Sequence, residues 1–250
     1  MNAPILEVSH LARAFGSVVA VNDISFAVAP RELVAVIGPN GAGKSTCFNL
    51  INGQLRPDRG VISFEDRRID GFAPRVIARL GVGRTFQIAS TFASMTAWEN
   101  VAFAVAAARR EDGALRPYAL FRWRDEAQGL LERIGASALA NAHCAGLAYG
   151  DVKRVELAMA LAASPKLLLM DEPTAGMTIA ERRKLMQLIA PLARERAVAV
   201  LFTEHDMDVV FGWADRVLVL DDGALIAHGT PDEIRRDARV RAAYLGESAL

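Results

Sequence analysis

The chain has 250 residues, enough to bury a substantial core as one large α/β domain or two small ones. Lys plus Arg equals Asp plus Glu at 29 each, so charge favours neither nucleic acid nor acidic partners, and two cysteines make no disulfide framework. Hydrophobic residues reach 52%, leaving room for a partner surface, yet no apolar run approaches the roughly 18 residues of a membrane span; Val101 to Ala108 is under half of that.

Met1-Asn2-Ala3-Pro4 leads straight into strand-like sequence without a secretory signal pattern, which predicts a cytosolic protein. Short alternating strands follow at Ile5–Val8, Val18–Val21 and Ile24–Val28, and then the apolar run Leu33–Ile37. That buried strand feeds Gly38-Pro39-Asn40-Gly41-Ala42-Gly43-Lys44-Ser45-Thr46, a glycine, four residues, then Gly-Lys-Ser. A turn can wrap a polyphosphate only where side chains stay clear, so Gly38, Gly41 and Gly43 let backbone N–H groups point inward at phosphate oxygens. Lys44 is expected to reach the β- and γ-phosphates and Ser45 to hold Mg²⁺, with the positive end of the next helix aimed at the anion. That helix should stop near Asn52-Gly53, and Cys47 within it reads as a small core residue.

Gly60–Phe64 reads as a further strand. From about 91 to 163 the composition turns to Ala-, Leu- and Arg-rich segments at helical spacing, including Trp123–Ile134 and Val152–Ala163. Strands return at Leu167–Met170 and Val198–Phe202 around a helix over Ile179–Ala193, a βαβ unit that implies parallel pairing. Asp221-Asp222-Gly223, between two apolar runs, marks a hairpin. The expected fold is α/β: a P-loop nucleotide core with an N-terminal antiparallel β region and an inserted α-helical subdomain.

Ligands of open α/β sheets bind beyond the carboxyl ends of the strands, where Asp171 and Glu172 fall. Asp171 is expected to complete the Mg²⁺ shell, directly or through water, and Glu172 to orient or deprotonate an attacking water. His205, after the next strand, is a third candidate, donating to the γ-phosphate. His10, His143 and His228 lack such a context.

Five ordered motifs then carry a resemblance: the phosphate loop, Arg84-Thr85-Phe86-Gln87, Leu147-Ala148-Tyr149-Gly150-Asp151, Met170-Asp171-Glu172-Pro173-Thr174 and Thr203-Glu204-His205-Asp206. From about Leu6 to Glu247 the chain resembles an ABC-transporter ATP-binding subunit. Within that family it is most similar to the branched-chain amino acid importer type, through Gly83–Gln87, Leu147–Asp151 and the tail Gly229-Thr230-Pro231-Asp232-Glu233-Ile234 … Tyr244-Leu245-Gly246. The resemblance implies one ATP-binding domain over 5–248, with a nucleotide core at about 5–90 and 164–248 and a helical subdomain at about 91–163. It implies that Phe15 stacks on adenine, with core packing as the alternative, and that Gln87 touches Mg²⁺ and the attacking water. It further implies that Ala148, Tyr149, Gly150 and Asp151 close over the γ-phosphate bound by a facing subunit, with the helix starting near Asp151 pointing at that phosphate.

Three residues depart from the family's pattern: Ala148 stands for the usual signature Ser, Tyr149 for its first Gly, and Thr178 for an aspartate in the interface loop. The first two remove a hydroxyl donor and a small residue but leave backbone donors; they also occur in the branched-chain type. The third bears on communication across the dimer. The implied partners are a second ABC ATPase subunit, a copy or a paralogue, membrane permease subunits and, indirectly, a periplasmic or extracellular solute-binding protein, with no nucleic acid. ATP and Mg²⁺ are the implied cofactors and the cytoplasmic face of the plasma membrane the implied place. The region around Phe92 to Val105 offers a docking surface, or in part internal core. The ATPase subunit of a lipopolysaccharide-export-type or other small-solute ABC transporter is the alternative reading; a small-molecule kinase would not need Leu147–Asp151, and a regulatory module without turnover would lack Glu172.

Overall fold

The computed structural model describes residues 3–87, 89–109 and 120–242. The tail residues Tyr244, Leu245 and Gly246, and the domain limit at 248, lie outside the described residues. Two sheets organise the rest. An antiparallel sheet has the order β2-β1-β4-β5, built from β1 (Leu6–Phe15), β2 (Val18–Val28), β4 (Arg59–Phe64) and the short β5 (Arg67–Arg68). The central sheet has the order β10-β9-β3-β8-β7-β6. Its strands are β3 (Leu33–Ile37), β6 (Val82–Thr85), β7 (Leu167–Asp171), β8 (Ala199–Thr203), β9 (Arg216–Asp221) and β10 (Ala224–Gly229). All pair in parallel except β10 with β9, joined through Asp222 and Gly223, both at positive φ.

The central strands are apolar throughout because both faces are covered. Their period of two divides the core. Leu33, Ala35, Ile37, Met170, Val200 and Phe202 pack on one side with the helical segments; Val34, Val36, Leu169, Leu201, Leu218 and Leu220 pack on the other with α1 (Lys44–Ile51) and the antiparallel sheet. Phe48 and Phe202 are fully buried on opposite sides, each contributing roughly 2–3 kcal/mol of apolar burial. Further helices are α2 (Pro74–Leu80), α3 (Ala97–Ala108), α4 (Arg124–Arg133), α5 (Tyr149–Leu161), α6 (Ile179–Arg196), α7 (Met207–Trp213) and α8 (Pro231–Arg236). Among the described residues no helix is long and apolar enough to cross a membrane.

The structure lengthens the first predicted strand to Phe15 and joins the predicted Val18–Val21 and Ile24–Val28 into one strand. Asn22 and Asp23 interrupt the apolar alternation, yet β2 runs through them, with β1 absorbing register shifts between Val8 and Ala14. His10 and Asp23 take positive φ there and their side chains meet at 2.8 Å. Helix α5 begins at Tyr149 rather than near Asp151, because Ala148 takes the N-cap position in extended geometry.

Candidate active site

Strand β3 delivers the chain into a loop whose path needs glycine. A Cβ on Gly38 would lie 2.0 Å from the Leu220 carbonyl oxygen, and one on Gly43 2.2 Å from that of Ala20. Gly41 is different: its φ of +86° disfavours a side chain, but the space around it is open. Gly43 caps α1 without a side-chain hydrogen bond, and no acid sits in the first turn, so the first amides of α1 are left to an anion. The cleft above the loop, about 180 Å³, is lined by Ala20, Asn40 through Thr46, and Glu172. A larger groove of about 610 Å³ beside Asp125, Arg133 and Leu192 contains none of these groups.

Lys44 is buried, and its Nζ donates to the Gly38 carbonyl at 2.7 Å and the Pro39 carbonyl at 2.9 Å. Burial pushes its pKa down, opposed by the nearby charges of Glu172 and Asp171. An ammonium held by two neutral carbonyls is poised to exchange them for an anionic oxygen. Ser45 is exposed and Thr46 half-buried at the rim of the cleft.

The acids lie opposite. The Asp171 Oδ1 accepts from the Thr203 hydroxyl at 2.8 Å, and that hydroxyl accepts the Glu172 N–H at 3.0 Å. Glu172 sits at φ 44°, a conformation that costs a non-glycine residue about 1 kcal/mol or more. The turn aims its carboxylate between two partners: Gln87 Nε2 donates to Oε2 at 2.8 Å and His205 Nε2 faces Oε1 at 2.9 Å. An ionised carboxylate only accepts, so the imidazole carries its proton on Nε2 in that contact. Gln87, Glu172 and His205, drawn from the ends of three neighbouring parallel strands, therefore form one hydrogen-bonded row beside the phosphate loop.

The donor set suits Mg²⁺: one carboxylate, a hydroxyl and an amide oxygen, the sparse hard-oxygen group that phosphates and water complete. The Asp171 Oδ2 stands 3.6 Å from Arg84 Nη2, too far for a hydrogen bond, so it keeps acceptor capacity. Arg84 itself is held by Asn49 Oδ1 at 2.8 Å and Gln54 Oε1 at 3.2 Å, over the Phe86 ring. Its pKa is lowered, chiefly by burial.

Other expected residues stand apart. Phe15 is exposed at the end of β1, with the Arg13 guanidinium 4.9 Å over its ring, and does not line the phosphate cleft. Ala148, Gly150 and Asp151 lie at the N-terminus of α5, where Asp151 pairs with Arg154. Tyr149 instead reaches back, its hydroxyl donating to the Gln87 carbonyl at 2.9 Å. Sequence reasoning gave no role to Thr203 and Glu204. Glu204 is buried, and its Oε1 accepts from Thr174 N at 2.9 Å and Thr174 Oγ1 at 2.6 Å, anchoring the turn after Glu172 to the strand that carries His205. A polar pair ending an apolar strand was the available signal.

A glycine loop at a helix N-terminus, faced by a strand-end acid pair, defines a P-loop nucleoside triphosphatase. A family model described as ABC transporter matches residues 21–175, and one described as branched-chain amino acid ATP-binding cassette transporter matches residues 224–249. Over 255 residues the chain is 41% identical to the high-affinity branched-chain amino acid transport ATP-binding protein LivG of Salmonella typhimurium, covering 99% of this chain and 100% of that protein. The lipopolysaccharide export system ATP-binding protein LptB of Haemophilus influenzae is more distant, 35% identical over 243 residues, covering 97% of this chain and 98% of LptB. The crystal structure of the ADP conformation of MJ1267, an ATP-binding cassette of an ABC transporter, superposes with a TM-score of 0.86 at 28% identity, covering 98% of this chain and 100% of that one. The chain belongs to the ABC transporter ATP-binding family and is an ABC-type ATPase.

Proposed function

We propose that this ATPase powers import of branched-chain or related amino acids through a membrane permease, bound to its cytoplasmic face. The observation that carries the catalytic part is the row Gln87–Glu172–His205 beside the phosphate loop. The similarity to LivG over the whole chain supports the solute class.

In this reading, backbone amides of Gly41 to Thr46 and the Lys44 ammonium hold the β- and γ-phosphates of ATP, and Phe15 stacks on adenine. Ser45, Asp171 and Gln87 would hold Mg²⁺, which when bound screens phosphate charge. Glu172 orients the attacking water and accepts its proton, while His205 exchanges the Nε2–H bond to Glu172 for one to the γ-phosphate. Gln87 places its amide between Glu172 and the phosphate. The remaining donors come from a second ATPase subunit, whose residues Ala148 to Asp151, or their counterparts in a paralogue, cover the γ-phosphate. Hydrolysis severs the γ-phosphate from the nucleotide that both subunits grip, so they part, and that difference alone moves the permease. A solute-binding protein delivers the amino acid from the other side.

Two measurements test this. Glu172→Gln keeps the side chain's size but not the base, so steady-state hydrolysis should fall by about 100-fold or more while ATP affinity stays near that of the native chain; unchanged turnover would remove Glu172 from its role. With its permease and solute-binding protein in vesicles, hydrolysis should rise with leucine, isoleucine or valine. Stimulation by lipopolysaccharide instead would overturn the solute assignment.

A further inference from the structure

Within α5, Lys153 and Glu156 form an ion pair at 3.2 Å whose side chains are 3% and 5% exposed. Removing two charges from water is costly, and a pair of this kind adds little net stability unless its remaining donors and acceptors are used. They are used on one target. The Glu156 Oε1 accepts the backbone N–H of Phe86 and of Ser90, both at 3.1 Å, and Lys153 Nζ donates to the Phe86 carbonyl. Both backbone groups of Phe86 are thereby tied to α5 immediately before Gln87, and the Ser90 N–H is tied three residues after it. Between these ties, the Tyr149 hydroxyl holds the Gln87 carbonyl at 2.9 Å. The Gln87 side chain meanwhile reaches Glu172. One helix thus begins with the Ala148 to Asp151 segment and, through three side chains on its first two turns, grips the loop that meets the hydrolytic carboxylate.

We propose that Lys153, Glu156 and Tyr149 are positioning residues that clamp the Gln87 loop to α5 of the same chain and so hold the Gln87 side chain against Glu172. The proposal rests on the placement of Gln87 in the hydrolytic site. In chemical terms the clamp makes the loop around Gln87 part of the helix, and it fixes the distance from Gln87 to Glu172 only while α5 is in place. Tyr149, where a glycine would have no hydroxyl to offer, supplies the bond closest to Gln87.

The test uses the full chain with the double variant Lys153→Met/Glu156→Leu, which removes both buried charges together, with Lys153→Met/Glu156→Gln, which removes the charges but keeps the acceptor for the Phe86 and Ser90 N–H groups, and with Tyr149→Phe, which removes one hydroxyl. In the double variant, amide exchange at Phe86 and Ser90 should quicken about tenfold, as loss of one to two hydrogen bonds requires. ATP affinity should stay within about twofold, because the phosphate loop is untouched, while kcat falls about tenfold at little change in KM. Lys153→Met/Glu156→Gln should recover much of the rate, a rescue that a purely packing role would not give. If the double variant fails to fold, Tyr149→Phe should still raise exchange in the Gln87 loop and lower kcat, each about threefold. Native exchange at Phe86 and Ser90, native kcat in the double variant, or no rescue by Gln would each overturn the clamp. Gln87→Ala separates the two assignments: if it hydrolyses ATP normally, the placement of Gln87 fails and the kinetic half of the clamp with it, whereas a slow Gln87→Ala beside a fast double variant sinks the clamp alone.

Discussion

Cys47 lies in α1 one turn behind the phosphate loop, and complete burial pushes its thiol up to about 12 from an ordinary 9.0. The sign of the consequence follows from which state holds the proton. Between pH 9 and 12 the unfolded chain loses the thiol proton and the folded chain keeps it, so the contribution is whole below about pH 9 and is lost as pH rises through that window. Wild-type stability should therefore fall faster than that of Cys47→Ala above pH 9, by an amount of order 1 kcal/mol per pH unit. Urea unfolding at about pH 8 and about pH 10.5, either side of the onset of that window, measures it; parallel loss in both proteins would show that Cys47 does not titrate on unfolding. Single residues also differ in how legible they were. Lys44, Ser45, Asp171 and Glu172 could be picked out because spacing along one strand-turn-helix and the ends of apolar runs locate them. The bond from Tyr149 to Gln87, and the ties from Glu204 to Thr174, join residues 62 and 30 positions apart, and no local pattern encodes such meetings.

At the scale of elements, Thr178 acquires a physical role beyond its difference from the family's aspartate. It caps α6: its N–H and hydroxyl donate to Glu181 Oε2 at 2.9 and 2.7 Å, and its hydroxyl oxygen accepts the Glu181 N–H. These two donors hold the Glu181 carboxyl below its ordinary range. Thr178→Ala should cost about 1 kcal/mol of stability and Thr178→Ser nearly none, read from denaturant midpoints; equal loss in both would assign the effect to the lost methyl group rather than the cap. The same Thr-x-x-Glu box starts α3 with Thr96 and Glu99, and α8 with Thr230 and Glu233. Of these starts only that of α6, at Ile179, was placed from sequence, although the Thr-x-x-Glu pattern marks all three; α5 carries no such mark, since Ala148 offers no capping side chain and Tyr149-Gly150 are weak helix formers. Strands β3, β7 and β8 were readable because burial on both faces makes them continuous apolar runs. Strand β6 was not, being four residues with a glycine and an arginine.

For the whole molecule, zero formal net charge gives this subunit no overall charge to draw it to a partner, which turns attention to apolar contact. The region from Phe92 to Val105 divides accordingly. Trp98 is 6% exposed and Asn100 is fully buried, its carboxamide donating to the Phe92 and Thr96 carbonyls at 3.1 and 2.9 Å, so both belong to the interior. Phe92 and Phe121 are 47% and 51% exposed, each resting on a ring of α3: Phe92 edge-on to Phe103 at 5.1 Å, Phe121 against Trp98 at 5.2 Å. Half-exposed rings supported from beneath are preorganised anchors, losing little side-chain entropy when covered. Phe92→Ser/Phe121→Ser should leave ATP affinity unchanged and cost the isolated chain about 1–2 kcal/mol, because each ring already shares part of its surface with α3. Recovery of the variant with its permease from detergent should drop at least about tenfold, the loss expected when two anchors go. Recovery equal to wild type would place the docking contact elsewhere on the subunit.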